Sequence, residues 1–272
     1  PAMPLKVGLV GCGAIGAEIA KAIDSGVVDA ELIAVCDHNP QTALALIESL
    51  QHKTKKADLA ELVRLSDVVV EAASQKAVPA VARAALAAGK RLMIMSVGAL
   101  ADMDLFREIK SLAKSHCSQV YIPSGAISGL DALKSARAGR IERVTLTTTK
   151  NPSGLRGAPY IMENRIDLDS LSGPTQIFSG SAIEAVRAFP ANVNVAATLY
   201  LAAGEKEVLV KVFADPNIRV NRHEIEVEGD FGRFFTRVEN VPSPRNPKTS
   251  YLAALSAIST LRSIVEPIKI GT

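Results

Sequence analysis

The chain has 272 residues, 48% hydrophobic and 22% charged, with a formal net charge of +3 and no tryptophan. That is apolar material for one large or two ordinary soluble domains. No basic run suits nucleic acid and no uncharged apolar stretch reaches membrane-spanning length, so neither partner is expected. The start lacks the order of a secretory signal, and three cysteines without CxxC spacing suit a reducing, cytoplasmic setting with no disulfide frame and no metal site.

The first half alternates strand-like and helix-like segments. Strands are predicted over 5–10, 31–36, weakly 54–57, 67–72, 91–95 and 119–122, and helices over 14–25, 41–50, 58–64, 76–88 and 102–115. Repeated βα units predict an α/β domain with a doubly wound parallel Rossmann sheet. The first βα turn reads Gly11-Cys12-Gly13-Ala14-Ile15-Gly16, directly after the apolar run Val7–Val10. That is a dinucleotide fingerprint in its proper context. Gly11 suits the tight turn, Gly13 a close approach of pyrophosphate, and Gly16 close helix–strand packing. Ala14 and Ile15 open the helix whose N–H groups would face the phosphates. Asp37 ends the next apolar run, 21 residues after Gly16, where a carboxylate accepts from a ribose 2′-hydroxyl. It would repel a 2′-phosphate, which favours NAD. His38, if protonated, softens that repulsion and keeps NADP possible. Ala73 and Ser74 follow the third main strand, where small residues suit either close cofactor approach or simple turn chemistry.

The pattern changes near residue 124. A helix is predicted over 128–138, then an alternating strand over 141–150 and a Gly/Pro-rich loop over 151–159. Further strands fall at 175–179, 207–214, 218–228 and 231–239, and helices at 180–188, 193–203 and 250–264. Adjoining long strands predict a second, α+β domain with a mostly antiparallel sheet. The expected division is 1–124 for the cofactor domain and 125–248 for a substrate and dimerisation domain. The C-terminal helix, within 249–272, packs back on the first. Pro242–Pro247 reads as a stiff loop, Thr249 as a helix cap, and Leu252, Leu255, Ile258, Leu261 and Val265 as the docking stripe.

Among the four histidines, His52 and His116 read as solvated. His223 differs. Ile225 and Val227 share its phase, while Arg222, Glu224, Glu226 and Glu228 take the other, so alternation turns His223 inward. Such a histidine is either a hydrogen-bonded core residue or an acid–base group. On strand 141–150, Val144, Leu146, Thr148 and Lys150 share a face that becomes polar at its end. Lys150, with Thr148, could hold a substrate carboxylate, or the lysine could simply reach water. Asn192 fits a helix cap by residue type, or could pair with a nicotinamide carboxamide.

Several segments resemble the L-aspartate dehydrogenase family of the NAD-biosynthetic type, over nearly the whole length. The shared motifs are Gly11–Gly16, Ala72-Ala73-Ser74 and Met95–Leu100, and, more specifically, Phe189–Ala196, Asn221–Ile225 and Asn246–Ser250. The resemblance implies that His223 is the active-site histidine and that Ala126 and Asn192 contact the cofactor. It further implies oxidation of L-aspartate to iminoaspartate with NAD or NADP, hydride passing from Cα to the nicotinamide C4. The imine hydrolyses to oxaloacetate and ammonia, or feeds NAD biosynthesis. A homodimer built on the long strands is expected. Two alternatives are a related two-domain reductase like dihydrodipicolinate reductase, whose paired histidines are missing from Val144–Thr149, and a non-catalytic NAD-binding sensor.

Overall fold

The computed structural model describes residues 3–190, 194–243 and 246–271. Two compact units emerge, one gathering residues up to Pro123 and Ala253–Lys269, the other Ser124–Leu252.

In the first unit, strands β1 (Leu5–Val10), β2 (Ala30–Cys36), β3 (Lys55–Lys56), β4 (Val68–Glu71), β5 (Arg91–Ile94) and β6 (Val120–Tyr121) form a parallel sheet. Its order is β3-β2-β1-β4-β5-β6. The direction of winding reverses between β1 and β4, which opens a crevice at their carboxyl ends. Helices α1 (Ala14–Asp24), α2 (Pro40–Glu48), α3 (Leu59–Leu65), α4 (Val78–Ala87) and α5 (Met103–Ser115) make the crossovers. Val68, Val69 and Val70 are fully buried, as a central parallel strand covered on both faces requires. Local chemistry starts the helices: the side chains of Asn39, Asp58 and Asp102 accept from N–H groups one turn ahead in α2, α3 and α5.

In the second unit, β7 (Ile141–Lys150), β8 (Thr175–Ser181), β9 (Leu209–Ala214), β10 (Asn221–Gly229) and β11 (Gly232–Asn240) form a sheet in the order β11-β10-β7-β9-β8. Every pairing is antiparallel except β7 with β9. One face carries the core, where Val144 and Leu146 meet Ile225 and Val227. Over it lie α6 (Leu130–Ala136), α7 (Pro159–Glu163), α8 (Ala182–Ala188) and α9 (Asn194–Ala202). Tyr160, Phe178 and Phe189 pack with ring centroids 5.2–5.6 Å apart. The other face of β10 and β11 is a ladder of ion pairs, including Arg222–Glu239 and Arg237–Glu224.

Three details depart from the expected elements. The 151–159 loop runs into the short helix α7, started by Pro159 in its first turn. Where a stiff loop is expected, β12 (Pro242–Ser243) pairs antiparallel with β13 (Asn246–Ser250), and Pro244 and Arg245 of that predicted loop lie outside the described residues. Thr249 therefore lies inside a strand instead of capping the last helix, α10 (Tyr251–Val265). As expected, α10 packs on the Rossmann unit, where Ala257 and Leu261 join a core of Val7, Leu9, Ile19 and Val35. Its buried stripe is Ala254, Ala257 and Leu261, and Leu255 is left 39% exposed. Small residues at those positions let the helix approach the sheet, and this outweighs the larger apolar area of Leu255.

Candidate active site

The three glycines of the first turn occupy three different environments. Gly11 has φ +97° and its pro-Cβ position runs into the Ala72 carbonyl, so a side chain is excluded on both counts. Gly16 backs onto the Gly11 carbonyl, so a methyl group there would force α1 away from the turn. Gly13 has nothing within 4 Å of that position and is exposed. It is the N-cap of α1, with no side-chain hydrogen bond to the helix and no acidic residue in the first turn. The amino end of α1, including Ala14 and Ile15, thus offers N–H groups and positive potential to an anion. These features fit a dinucleotide pyrophosphate.

Asp37 closes this site at the end of β2. Its Oδ2 accepts from Cys12 N at 2.7 Å and its Oδ1 from Asn39 N at 2.8 Å. His38 Nδ1 lies 3.1 Å from Oδ1 on a ring that is 96% exposed. Burial, then the charge of Asp37, pushes the Cys12 thiol up to about 12, so this cysteine is an inert filler of the turn. Beside it sits a residue that sequence reasoning missed. Glu71 ends β4 with no exposure. Its carboxylate accepts from Ala73 N at 2.8 Å, Ser74 N at 3.1 Å, Ser96 N at 3.0 Å and Ser96 Oγ at 2.8 Å. Burial raises its pKa and these bonds oppose the rise. The Ala73 and Ser74 N–H groups thus serve the turn, and only the exposed surface of the two residues is left to face a ligand. The signal for Glu71 was an acid closing the run Val68–Val70.

In the second unit, His223 sits on the buried face of β10, 3% exposed, in register with Thr148 of β7. Its Nδ1 and the Thr148 hydroxyl are hydrogen-bonded at 2.9 Å. Lys150, one pleat along from Thr148, is 6% exposed. Burial brings its amine down to about 8. Burial, then the neighbouring Lys150 charge, brings the His223 imidazole down to about 3. His223 is therefore a neutral imidazole near pH 7, and Lys150 titrates close to it. A small cavity borders Thr148 and Lys150 on the helix side.

The structure thus joins His223, Thr148 and Lys150 on one sheet face, and gathers Gly11, Gly13, Gly16 and Asp37 at one end of the other sheet. Ala126 is buried, and its carbonyl accepts from Asn240 Nδ2 at 2.9 Å. Asn192 lies outside the described residues. His52 is solvent-facing and paired with Asp24, and His116 is exposed at the end of α5. Two further buried polar residues escaped the sequence reading, Asn221 and Asn240, which pair in register across β10 and β11. Asn221 shares the inward phase of His223, a signal that alternation carried. Among the described residues no cluster suits a metal ion, and no helix is long and apolar enough to cross a membrane.

A Rossmann sheet with an open glycine turn, joined in one chain to an α+β unit with a buried histidine, defines a nicotinamide-dependent oxidoreductase. Comparison with known proteins narrows this class. A family profile described as "Aspartate dehydrogenase, C-terminal" matches residues 131–264, and one described as "Homoserine dehydrogenase, NAD binding domain" matches 11–123. The chain is 55% identical to an L-aspartate dehydrogenase of Methanocella arvoryzae, over 98% of this chain and 99% of that one. It is 54% identical to an L-aspartate dehydrogenase of Methanosarcina mazei, over 98% and 100% of the two chains. The crystal structure of aspartate dehydrogenase from Thermotoga maritima superposes with a TM-score of 0.77 at 28% identity, covering 99% of this chain and 100% of that one. Scyllo-inositol dehydrogenase from Lactobacillus casei, at 14% identity, TM-score 0.61 and coverage of 99% and 91%, shares the fold. The chain belongs to the L-aspartate dehydrogenase family.

Proposed function

We infer that the protein catalyses the NAD-dependent oxidative deamination of L-aspartate to iminoaspartate, which water converts to oxaloacetate and ammonia. The observation that carries this reading is His223, an imidazole held neutral on a buried sheet face against Thr148 and Lys150, in a chain of this family. NAD, when bound, supplies the hydride acceptor for the substrate Cα. Gly11, Gly13 and Gly16 with the first turn of α1 hold its pyrophosphate, and Asp37 faces the adenosine ribose. Ala73, Ser74, Ala126 and Asn192 make the remaining cofactor contacts. His223 meets the reacting nitrogen and takes its proton as the C=N bond forms. Lys150 and Thr148 bind a substrate carboxylate, since an ammonium and a hydroxyl both donate to it.

NADP is a second, poorer acceptor, because the Asp37 carboxylate opposes a 2′-phosphate and the exposed His38 beside it offsets the charge in part. The chain acts as a homodimer in the cytoplasm, and the iminoaspartate it makes serves NAD biosynthesis. The long strands of the second unit and three free cysteines support those two placements. The test is a substrate panel followed at the NADH absorbance band: L-aspartate, D-aspartate, L-malate and L-homoserine with NAD or NADP. The reading expects NADH from L-aspartate alone, faster with NAD. Tight NAD binding with no turnover of aspartate would favour a sensor instead.

A further inference from the structure

A neutral imidazole exists in two forms, and only one of them is a base at Nε2. With its proton on Nε2 the ring can only donate there. With its proton on Nδ1 it keeps the Nε2 lone pair. Which form is present follows from the hydrogen bond made by the other nitrogen. In His223 that bond runs to a hydroxyl: Nδ1 lies 2.9 Å from Thr148 Oγ1, and the two residues are 3% and 7% exposed. A carboxylate in this place would only accept and would hold the proton on Nδ1. A hydroxyl both donates and accepts. The form of His223 is therefore decided by where the Thr148 hydroxyl points its own hydrogen.

The surroundings of Thr148 settle that direction. It borders the small cavity on the helix side of the sheet, where the other lining side chains are Lys150 and apolar groups, among them Leu155, Phe189, Val210 and Val212. A lysine ammonium only donates, and hydrocarbon neither donates nor accepts. Among the described residues the Thr148 hydroxyl has one hydrogen-bonding partner, His223 Nδ1. Donating to it leaves the ring proton on Nε2, where it masks the lone pair. A carboxylate brought to Thr148 reverses the arrangement. A hydrogen bond to a charged acceptor is about twice as strong as one between neutral groups, so the hydroxyl turns to the carboxylate. Nδ1 then faces the lone pairs of the hydroxyl oxygen and has to donate.

We propose that the substrate switches on its own base: its carboxylate, by taking the hydrogen bond of the Thr148 hydroxyl, sets His223 in the Nδ1–H form and frees Nε2 for the proton of the reacting nitrogen. The proposal rests on the aspartate reading and makes Thr148 a positioning residue as well as a carboxylate contact. The switch leaves the charge of the ring unchanged. The Nε2–H bond breaks and its proton passes to water, and a proton from water forms the Nδ1–H bond. In the oxidation an N–H bond of the substrate breaks and its proton goes to Nε2. The electron pair left on nitrogen forms the C=N bond as the Cα hydride leaves with its own pair. The imidazolium so formed donates through Nδ1 to Thr148, whose hydroxyl donates to the carboxylate, and the new positive charge is tied through one hydroxyl to a negative one. An amine with no carboxylate in reach of Thr148 meets a masked base. Burial keeps the ring neutral near pH 7, so the choice between these two forms is the one left open.

The test is the nitrogen NMR spectrum of the NAD complex with isotope-labelled histidine, recorded without and with saturating succinate, a dicarboxylate that has no amine to oxidise. Loss of signals in His223→Gln assigns the ring, and the nitrogen shifts tell a protonated ring atom from a bare one. Bare Nδ1 without succinate and bare Nε2 with it are expected. The same form in both spectra would overturn the proposal, and so would succinate that fails to compete with aspartate. Kinetics of two variants give a second arm. Thr148→Val keeps the branched shape without the hydroxyl and should lose on the order of 10² in kcat, beyond any rise in KM. Thr148→Ser restores the hydroxyl and should bring kcat back to within about threefold of wild type. A raised KM with wild-type kcat in Thr148→Val would leave Thr148 as a carboxylate contact only, which removes the proposal and keeps the aspartate reading. A wild-type enzyme inert to aspartate but active on another amino acid would remove both.

Discussion

Each unit buries ionisable side chains, and the two cases differ in kind. Glu71 at the end of β4 is met by three backbone N–H groups and a hydroxyl, and these hold the turns after β4 and β5 in place. His223 and Lys150 are buried beside one another, and their basicities fall through burial and, for His223, through the charge of its neighbour. Burial alone therefore does not mark chemistry. A buried carboxylate surrounded by fixed donors is scaffolding, while burial that lowers the basicity of two adjacent bases marks a candidate for chemistry.

The hardest blow to the scaffold side of this contrast is Gly16→Ala. Its methyl group meets the Gly11 carbonyl, so the substitution should cost about 3 kcal/mol or more in a urea melt. A variant as stable as wild type would mean that α1 is free to shift. Glu71→Gln comes next. It places an amide NH2 among donors and should cost about 1–3 kcal/mol, with kcat down by less than tenfold. Loss of kcat with unchanged stability would put Glu71 on the catalytic side. Gly13→Ala separates cofactor binding from folding. The site is open, so the melt should move by less than about 0.5 kcal/mol, while NAD affinity, read by fluorescence titration, should fall about tenfold.

The smallest effect is a pH dependence of stability. His223 falls from its ordinary 6.5 to about 3 in the folded protein, so between those values the unfolded chain binds the extra proton. Its contribution to stability is complete above pH 6.5 and is lost as pH falls toward 3. The difference between wild type and His223→Gln should therefore shrink by about 1 kcal/mol between pH 7 and 5.5. A constant difference would mean that the imidazole is not neutralised by burial.

Much of this was legible in the chain. The strand–turn–helix order around Gly11–Gly16 carries its own context, and period-two alternation turns His223 inward on its strand and sets Thr148 in phase with Val144 and Leu146 on another, while their shared face needs the register of β7 and β10. Glu71 was not singled out, because its role depends on Ser96 from the turn after the neighbouring strand, a partner that residue spacing does not reveal. Asn221 was readable from its phase with His223, yet its pairing with Asn240 needed the register of β10 and β11. The pairing of β12 with β13 was hidden by prolines that mimic a loop. On α10 the predicted stripe holds at Ile258 and Leu261 and fails at Leu255, where close packing selects Ala254 and Ala257 instead. The resemblance to aspartate dehydrogenases, not spacing, singled out Ala126, and it chose the cofactor role over the helix cap for Asn192.

The account stands most directly on the kcat/KM of His223→Ala for L-aspartate, measured beside its affinity for NAD. Loss of 10²–10⁴ in kcat/KM with NAD affinity unchanged is the result expected of a proton-transferring imidazole. Full activity in that variant would contradict it, because the buried histidine would then be a core residue and nothing more.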